Sequence, residues 1–210
     1  MRTIFLPEEF DPTGTYPDEQ ATRTFAFRLL AHAEIEGFLE ERAKVLARTA
    51  LTGWRNSRQS STSLVALMAF SGLEHRPPPN TLFAPQPSKS KSWPREVELD
   101  ERVTAAVTAF NYRLSQNHGI KEENLLGILL PIGLGTDDID PMLLAELNSL
   151  GSDRGATAHG SVQHVTTFPD PKDELDRVQR ILDRLEEVDI KLGALESEAA
   201  LGDTEPEAGI

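Results

Sequence analysis

The sequence predicts an all-α fold, because apolar residues recur at three- and four-residue steps along most of the chain and no run has the two-residue alternation of a strand. The chain has 210 residues, of which 39% are hydrophobic and 26% charged, as is typical of a globular protein with a real core. We predict one helical domain at residues 20–200. An irregular arm at residues 1–19, which contains three prolines, precedes it, and an acidic tail at residues 201–210 follows it.

Helical periodicity is strongest near the two ends of the predicted domain. Residues 20–48 carry a broad apolar arc, which is typical of a helix deep in a bundle. Residues 173–200 carry apolar residues at near-heptad spacing and predict a long C-terminal helix. Between them, shorter helices are predicted at residues 64–73, 99–116 and 121–130, and another from Pro141 through Leu147 after the capping residue Asp140.

A proline-rich loop is predicted at residues 75–96. Residues 75–95 hold six prolines, which a regular helix does not accommodate. Loops of this length inside a domain are usually either functional or disordered.

The charge is unevenly distributed. The net charge is −13, but residues 42–95 hold nine basic residues and one acid. A basic segment in an acidic chain can bind a polyanion locally. It can equally pair with acidic surface of the same chain or of a second copy, and charge alone does not decide between these alternatives.

Several classes of site are not expected from this composition. With no cysteine, the chain has no disulfide, no thiolate nucleophile and no cysteine-based zinc site. The five histidines lack the spacing of a metal motif, so we expect no metal and no cofactor. No apolar run approaches the length of a membrane helix and the N-terminal residues lack a secretory pattern, so we expect a cytoplasmic protein without a membrane partner.

Arg154 and His159 form the most informative pair, within the run SDRGATAHG at residues 152–160. A histidine moves protons near neutral pH, and an arginine holds a phosphate and offsets charge as a bond breaks. These are the minimal groups for metal-free cleavage of an RNA phosphodiester. Positions five apart on a helix differ by about 140°, so both reach one phosphate only if Arg154 stands at or before a helix start or its side chain bends round. A helix opening at residues 154–158 would add free N–H groups to an anion site, and Gly155 permits such an irregularity.

Other polar residues are candidates for supporting roles. Glu36 lies at the edge of the apolar arc of the first long helix, where a carboxylate needs a partner. It either supports Arg154 or His159, or forms a salt bridge with another arginine of the chain, and we favour the salt bridge. His32, in the same arc, is interpreted as a core histidine with satisfied hydrogen bonds.

Three arginines near an aromatic ring are candidate RNA contacts. Arg48, Arg55 and Arg58 flank Trp54, and Lys89 and Lys91 flank Trp93. Cations interleaved with aromatic rings bind single-stranded RNA by charge and stacking. The alternative is a basic loop that binds an acidic protein.

Three stretches of the chain resemble the HEPN superfamily of small helical proteins, and within it the RiboL-PSP-HEPN-type family. They are LAHAEIEGFL at residues 30–39, HGIKEENLLGILLPIG at 118–133, and LGSDRGATAHG at 150–160. They occur in the family's order, and the resemblance extends over about residues 20–190. The family's ribonucleases carry an R-x4-6-H motif, which Arg154 and His159 match.

The resemblance implies a HEPN-like helical bundle that forms a homodimer, with two Arg–His motifs in one composite cleft. It implies a metal-independent endoribonuclease with RNA as its substrate, acting as the toxin of a toxin–antitoxin system or as an anti-phage effector, with an antitoxin protein as a candidate partner. Many family nucleases have a polar residue where this chain has Gly155. The alternative is a catalytically silent module or antitoxin that binds a partner protein or a nucleotide.

Overall fold

The structure is a computed structural model that describes residues 2–73, 96–159 and 169–201; for residues 96–98, 154–159 and 201 it describes the backbone alone. This part of the chain contains seven α-helices, two short 3-10 helices at Leu130–Ile132 and Thr136–Asp138, and no strand. The prediction of an all-α fold is therefore confirmed. The helices are α1 (Arg2–Phe5), α2 (Asp18–Ser57), α3 (Thr62–Ala69), α4 (Glu96–Ser115), α5 (Glu122–Leu129), α6 (Pro141–His159) and α7 (Pro171–Leu201).

The chain divides into two compact units. The first comprises Met1–Arg42, Asn117–Ile128 and Gly135–Lys191, and the second comprises Ala43–Gln116, Leu129–Leu134 and Leu192–Ile210. The domain boundaries at residues 20 and 200 remain a prediction, and most of the acidic tail lies outside the described residues. So does the proline-rich loop, apart from the first residue of α4.

Two helices are longer than predicted. α2 continues nine residues beyond Arg48, through a polar stretch, because Ala50 and Gly53 on one side of it are buried. α6 continues from Leu147 through two glycines to His159. The arm at residues 1–19 contains the short helix α1 and the first two residues of α2.

Aspartates followed by proline begin α6 and α7. Asp140 Oδ1 accepts a hydrogen bond from the Met142 N–H at 2.8 Å, and Asp170 Oδ1 accepts one from the Lys172 N–H at 2.8 Å. Each proline stands at the first helical position, where its missing N–H costs no hydrogen bond. The helix start predicted at Pro141 is therefore confirmed.

The first unit is built on the buried faces of α2, α6 and α7. A cluster of Leu6, Phe27, Ala31 and Val178 joins the N-terminal segment to α2 and α7. α6 contributes Leu143, Leu147 and Leu150 and α7 contributes Ile181, and each of these four side chains is fully buried.

In the second unit, α3 packs against α4 and against the 3-10 helix Leu130–Ile132. Gly133 ends that 3-10 helix with φ of +98°, and a Cβ there would lie 3.3 Å from backbone atoms of Ser63. Both facts favour glycine, since side chains rarely adopt this backbone conformation. Among the described residues, no helix is long and apolar enough to cross a membrane.

Candidate functional site

The Arg154–His159 motif occupies the C-terminal end of α6. The helix is continuous from Pro141 to His159, so Arg154 does not open a helix and residues 154–158 supply no helix N-terminus to an anion site. Of the two arrangements considered, the one in which Arg154 opens a helix is not found, because Gly151 and Gly155 are accommodated within the continuous helix. The two motif positions therefore stand five apart on a regular helix, about 140° around its axis. The side chains of Arg154 and His159 lie outside the described residues.

A ladder of three arginines on α7 holds α6 as far as the residue before the motif. We call Arg177, Arg180 and Arg184 the arginine ladder. Arg177 Nη1 donates to Asp153 Oδ2 at 2.8 Å, and Arg180 Nε donates to Glu146 Oε1 at 2.8 Å. Arg184 pairs with Asp140, at the start of α6, and its Nε lies 3.6 Å from Glu146 Oε2.

The order of these pairs shows that α6 and α7 run antiparallel. Contacts move towards the α6 C-terminus as they move towards the α7 N-terminus, and Arg177 forms the last of them. Its Nη2 also donates to Ser149 Oγ at 2.7 Å. Asp153 is the residue before Arg154, so the last pair of the ladder holds α6 directly before the motif.

Glu174 connects this end of α7 to α2. Its two carboxylate oxygens accept from Arg28, from Nε at 2.9 Å and from Nη2, in a bidentate pair. Glu174 Oε1 also lies 3.6 Å from Arg177 Nη1. The Glu174 side chain is 6% exposed and that of Arg28 12% exposed, so solvent screens this pair weakly. Arg28 also lies over the ring of Phe25, 5.7 Å from its centroid.

Glu36 belongs to a polar cluster that joins α2 to the segment before α5. Asn117 Nδ2 donates to Glu40 Oε1 at 2.8 Å, to the Gly119 carbonyl at 3.0 Å, and at the longer distance of 3.4 Å to Glu36 Oε1. Asn117 Oδ1 in turn accepts from Asn124 Nδ2 at 2.9 Å. The Glu36 side chain remains 19% exposed.

His32 is buried, as expected for a core histidine. Its Nδ1 lies 3.6 Å from Glu36 Oε2, one turn further along α2. Sequence reasoning placed Glu36 beside Arg154, His159 or another arginine; the contacts shown here are to His32 and Asn117. Asn117 is not among the site residues that the sequence predicts. Glu36 and Glu40 stand one helical turn apart on α2. In the sequence, this spacing was the signal that one amide group could donate to both.

The candidate RNA contacts lie at the C-terminal end of α2, in the second unit. Arg55 Nη2 donates to Thr104 Oγ1 at 3.1 Å, and Arg58 pairs with Asp100 and lies 5.6 Å from the centroid of the Trp54 ring. Hydrogen bonds from Arg58 and from Trp54 Nε1 hold the pKa of Asp100 below its usual value. Lys89, Lys91 and Trp93 lie outside the described residues.

Arg48 differs from the other two arginines. It is exposed on α2, and within the part of the chain described here it has no hydrogen-bond or ion-pair partner. It is therefore the arginine of the three whose guanidinium is most accessible to a phosphate group.

A close approach between α6 and the start of α5 also positions the motif helix. A Cβ on Gly151 would lie 3.0 Å from Lys121 Cγ and 3.7 Å from Ile120 Cγ1. The glycine therefore lets α6 lie directly against these residues, three positions before Arg154. Within the described ranges, no three His, Asp or Glu side chains are arranged to hold a metal ion.

Comparison of the chain with models of protein families, with curated proteins and with solved structures gives no match. The family resemblance therefore depends on the three sequence stretches alone.

Proposed function

We propose that the protein is a metal-independent endoribonuclease whose catalytic residues are Arg154 and His159. The observation that carries the proposal is the position of this pair: it follows directly on a helix segment held by the arginine ladder, whose last described pair joins Arg177 to Asp153. Catalysis requires reacting groups held in a fixed geometry, and ion pairs ending at Asp153 supply that support to the backbone that enters the motif.

The chemistry needs only groups that this pair offers. His159 accepts the proton of the ribose 2′-OH, and the 2′-oxygen attacks the adjacent phosphorus. The bond from phosphorus to the 5′-oxygen breaks, and that oxygen takes a proton from an acid, His159 of a second copy or the same histidine after protonation. The products carry a 2′,3′-cyclic phosphate and a 5′-OH. Proton transfer of this kind contributes about 10²- to 10⁴-fold.

Arg154 has a separate role in this mechanism. Its guanidinium donates to the non-bridging phosphate oxygens, whose negative charge increases as the fifth bond to phosphorus forms. DNA is not cleaved, because it lacks the 2′-OH that acts as nucleophile.

The remaining parts of the proposal follow the family resemblance. Two copies bring their motifs together in one cleft, and the enzyme acts as a toxin or an anti-phage effector restrained by an antitoxin protein. Arg48 contacts the RNA backbone, since of Arg48, Arg55 and Arg58 it is the one with no described partner. Glu36, which belongs to the polar cluster around Asn117, has a supporting role in this proposal.

The test is cleavage of a total-RNA pool by purified protein in excess EDTA. Wild type is compared with His159→Ala and Arg154→Ala, and the matched controls are His118→Ala, an exposed histidine, and Arg23→Ala, an exposed arginine paired with Glu19. We expect wild type and both controls to leave cyclic phosphate ends, and each motif variant to lose at least about 100-fold in rate.

Two results would overturn the proposal: equal cleavage by the His159→Ala variant, which would indicate a contaminating nuclease, or no cleavage by a wild-type protein shown to be folded. The second result would favour the catalytically silent binding module.

A further inference from the structure

An apolar groove lies between α2 and α7 within the first unit. It has a volume of about 450 Å³ and is lined by Ala31, Glu34, Ile35, Phe38, Val178, Leu182, Leu185, Glu186 and Asp189. The lining residues on α7 extend from Val178 to Asp189, about 16 Å along the helix axis. The groove is therefore long enough for about three turns of a further helix.

The floor and the walls of the groove differ in exposure. Ala31, Ile35, Val178 and Leu185 form a buried floor. The walls expose large apolar side chains to solvent, Leu182 at 47% and Phe38 at 37%. Contiguous exposed apolar surface framed by polar residues typically marks a site of protein interaction.

Among the residues that the structure describes, three carboxylates stand along this groove and no lysine or arginine lines it. Among the described residues, Glu34 and Glu186 have no ion-pair partner, whereas Asp189 Oδ1 accepts from Arg42 Nε at 2.6 Å. The lining thus combines an apolar floor with negative charge and offers no cation to an anionic ligand.

We propose that this groove binds an amphipathic helix of another protein, with apolar side chains on the floor and lysine or arginine beside Glu34 and Glu186. Helices dock into such grooves by apolar residues spaced three and four apart. Opposite charges at the edges select the partner and speed its association. The proposal does not depend on the ribonuclease activity.

Charge also favours a basic helix over a second copy of this chain as the occupant of the groove. Each copy carries a net charge of −13, and residues 170–210 hold 13 acids against 5 bases. An α7–α7 contact would place like charges together, at an electrostatic cost that a basic helix avoids.

The first experiment selects ligands from a displayed library of random peptides of about 16 residues, using the full-length protein as bait. We expect enriched peptides to carry net positive charge and apolar residues at positions i, i+3 or i+4, and i+7. Their affinity, measured by fluorescence anisotropy, should fall as salt screens the carboxylates.

Matched variants locate the binding site. Leu182→Asp alters the groove, while Ile190→Asp alters another exposed apolar residue of α7 that does not line it; Leu182 is 47% exposed and Ile190 67% exposed. We expect Leu182→Asp to weaken binding at least about tenfold and Ile190→Asp less than about twofold. The double variant Glu34→Lys with Glu186→Lys should weaken peptide binding more than Leu182→Asp does. Urea unfolding of each variant confirms that it remains folded.

Four results would overturn the proposal. They are no enrichment of peptides, enrichment of neutral or acidic peptides, equal weakening by both aspartate variants, and a wild-type dimer in sedimentation that Leu182→Asp converts to monomer. The last would assign the groove to contact between two copies.

Discussion

Arg177 donates to Asp153 at 2.8 Å and thereby ties the start of α7 to the residue that precedes Arg154 in α6. The two residues are 24 positions apart, and the side chain of Arg177 is only 13% exposed. Among the described contacts between α6 and α7, this pair is the one that lies nearest to the motif in the α6 sequence.

Loss of Arg177 is expected to loosen the C-terminal part of α6. Arg177→Ala removes the hydrogen bonds to Asp153 and Ser149, and we expect hydrogen exchange at residues 149–153 to rise about fivefold, equivalent to about 1 kcal/mol. Hydrogen exchange read by mass spectrometry measures this directly.

The control is Arg180→Ala, whose arginine side chain is 54% exposed and pairs with Glu146, further from the motif. An equal increase in exchange at residues 149–153 in this variant would contradict the role assigned to Arg177. If the protein is a ribonuclease, Arg177→Ala should also lower kcat more than Arg180→Ala does.

The buried pair of Arg28 and Glu174 is expected to matter far more for stability than the exposed pairs. Glu174→Ala leaves Arg28 buried without its carboxylate, which typically costs about 3–5 kcal/mol. The measurement is the free energy of unfolding in urea. The double variant Arg28→Met with Glu174→Leu should recover most of the loss, because no charge then remains buried. A loss below about 1 kcal/mol for Glu174→Ala would show that solvent reaches the pair.

Gly133 and Gly127 should respond oppositely to alanine. Gly133→Ala forces a side chain into a backbone with φ of +98° and within 3.3 Å of Ser63, so we expect a loss of about 1–2 kcal/mol. Gly127 lies in α5 with nothing within 4 Å of an added Cβ, so alanine there should stabilise by about 0.5–1 kcal/mol. Urea unfolding measures the change in the free energy of unfolding for both variants. A change in the same direction for both would contradict this interpretation.

Asp100 is expected to make stability depend on acid pH. Its pKa is lowered in the folded state by hydrogen bonds from Arg58 and Trp54, so its contribution is fully present above the unfolded pKa of about 3.9. The contribution is lost as the pH falls through the lower folded pKa. Asp100→Asn should therefore destabilise the protein at pH 7, and the difference from wild type should shrink towards about pH 2.5. A difference that is constant with pH would indicate that the ionised carboxylate is not responsible.

The starts of the helices were largely predictable because they depend on neighbours in the chain. The start of α6 after Asp140 follows from capping by one aspartate and from one proline. α2 was predicted too short because Ala50 and Gly53 are buried in a polar stretch. A Cβ added to Gly53 would overlap the Ala199 carbonyl, which a local pattern does not reveal.

The candidate site was predicted less completely than the fold. Arg154, His159 and Glu36 could be selected by residue type and by resemblance. Asn117, which donates to Glu36 and Glu40, and Arg177, which holds Asp153, could not, because asparagine after a helix and arginine on a helix surface are both common. Leu182 fits the heptad-like stripe of α7, yet it is exposed in the apolar groove.

The sequence by itself determined the all-α class and the starts of the main helices, since periodicity, capping and proline act over a few residues. Tertiary structure alone decided which charges from distant parts of the chain meet. The chain has 21 basic and 34 acidic side chains, and Arg28 and Glu174 are 146 positions apart. Nothing local selects that pair from the alternatives; packing of α7 against α2 does, by placing both groups where water no longer competes for them.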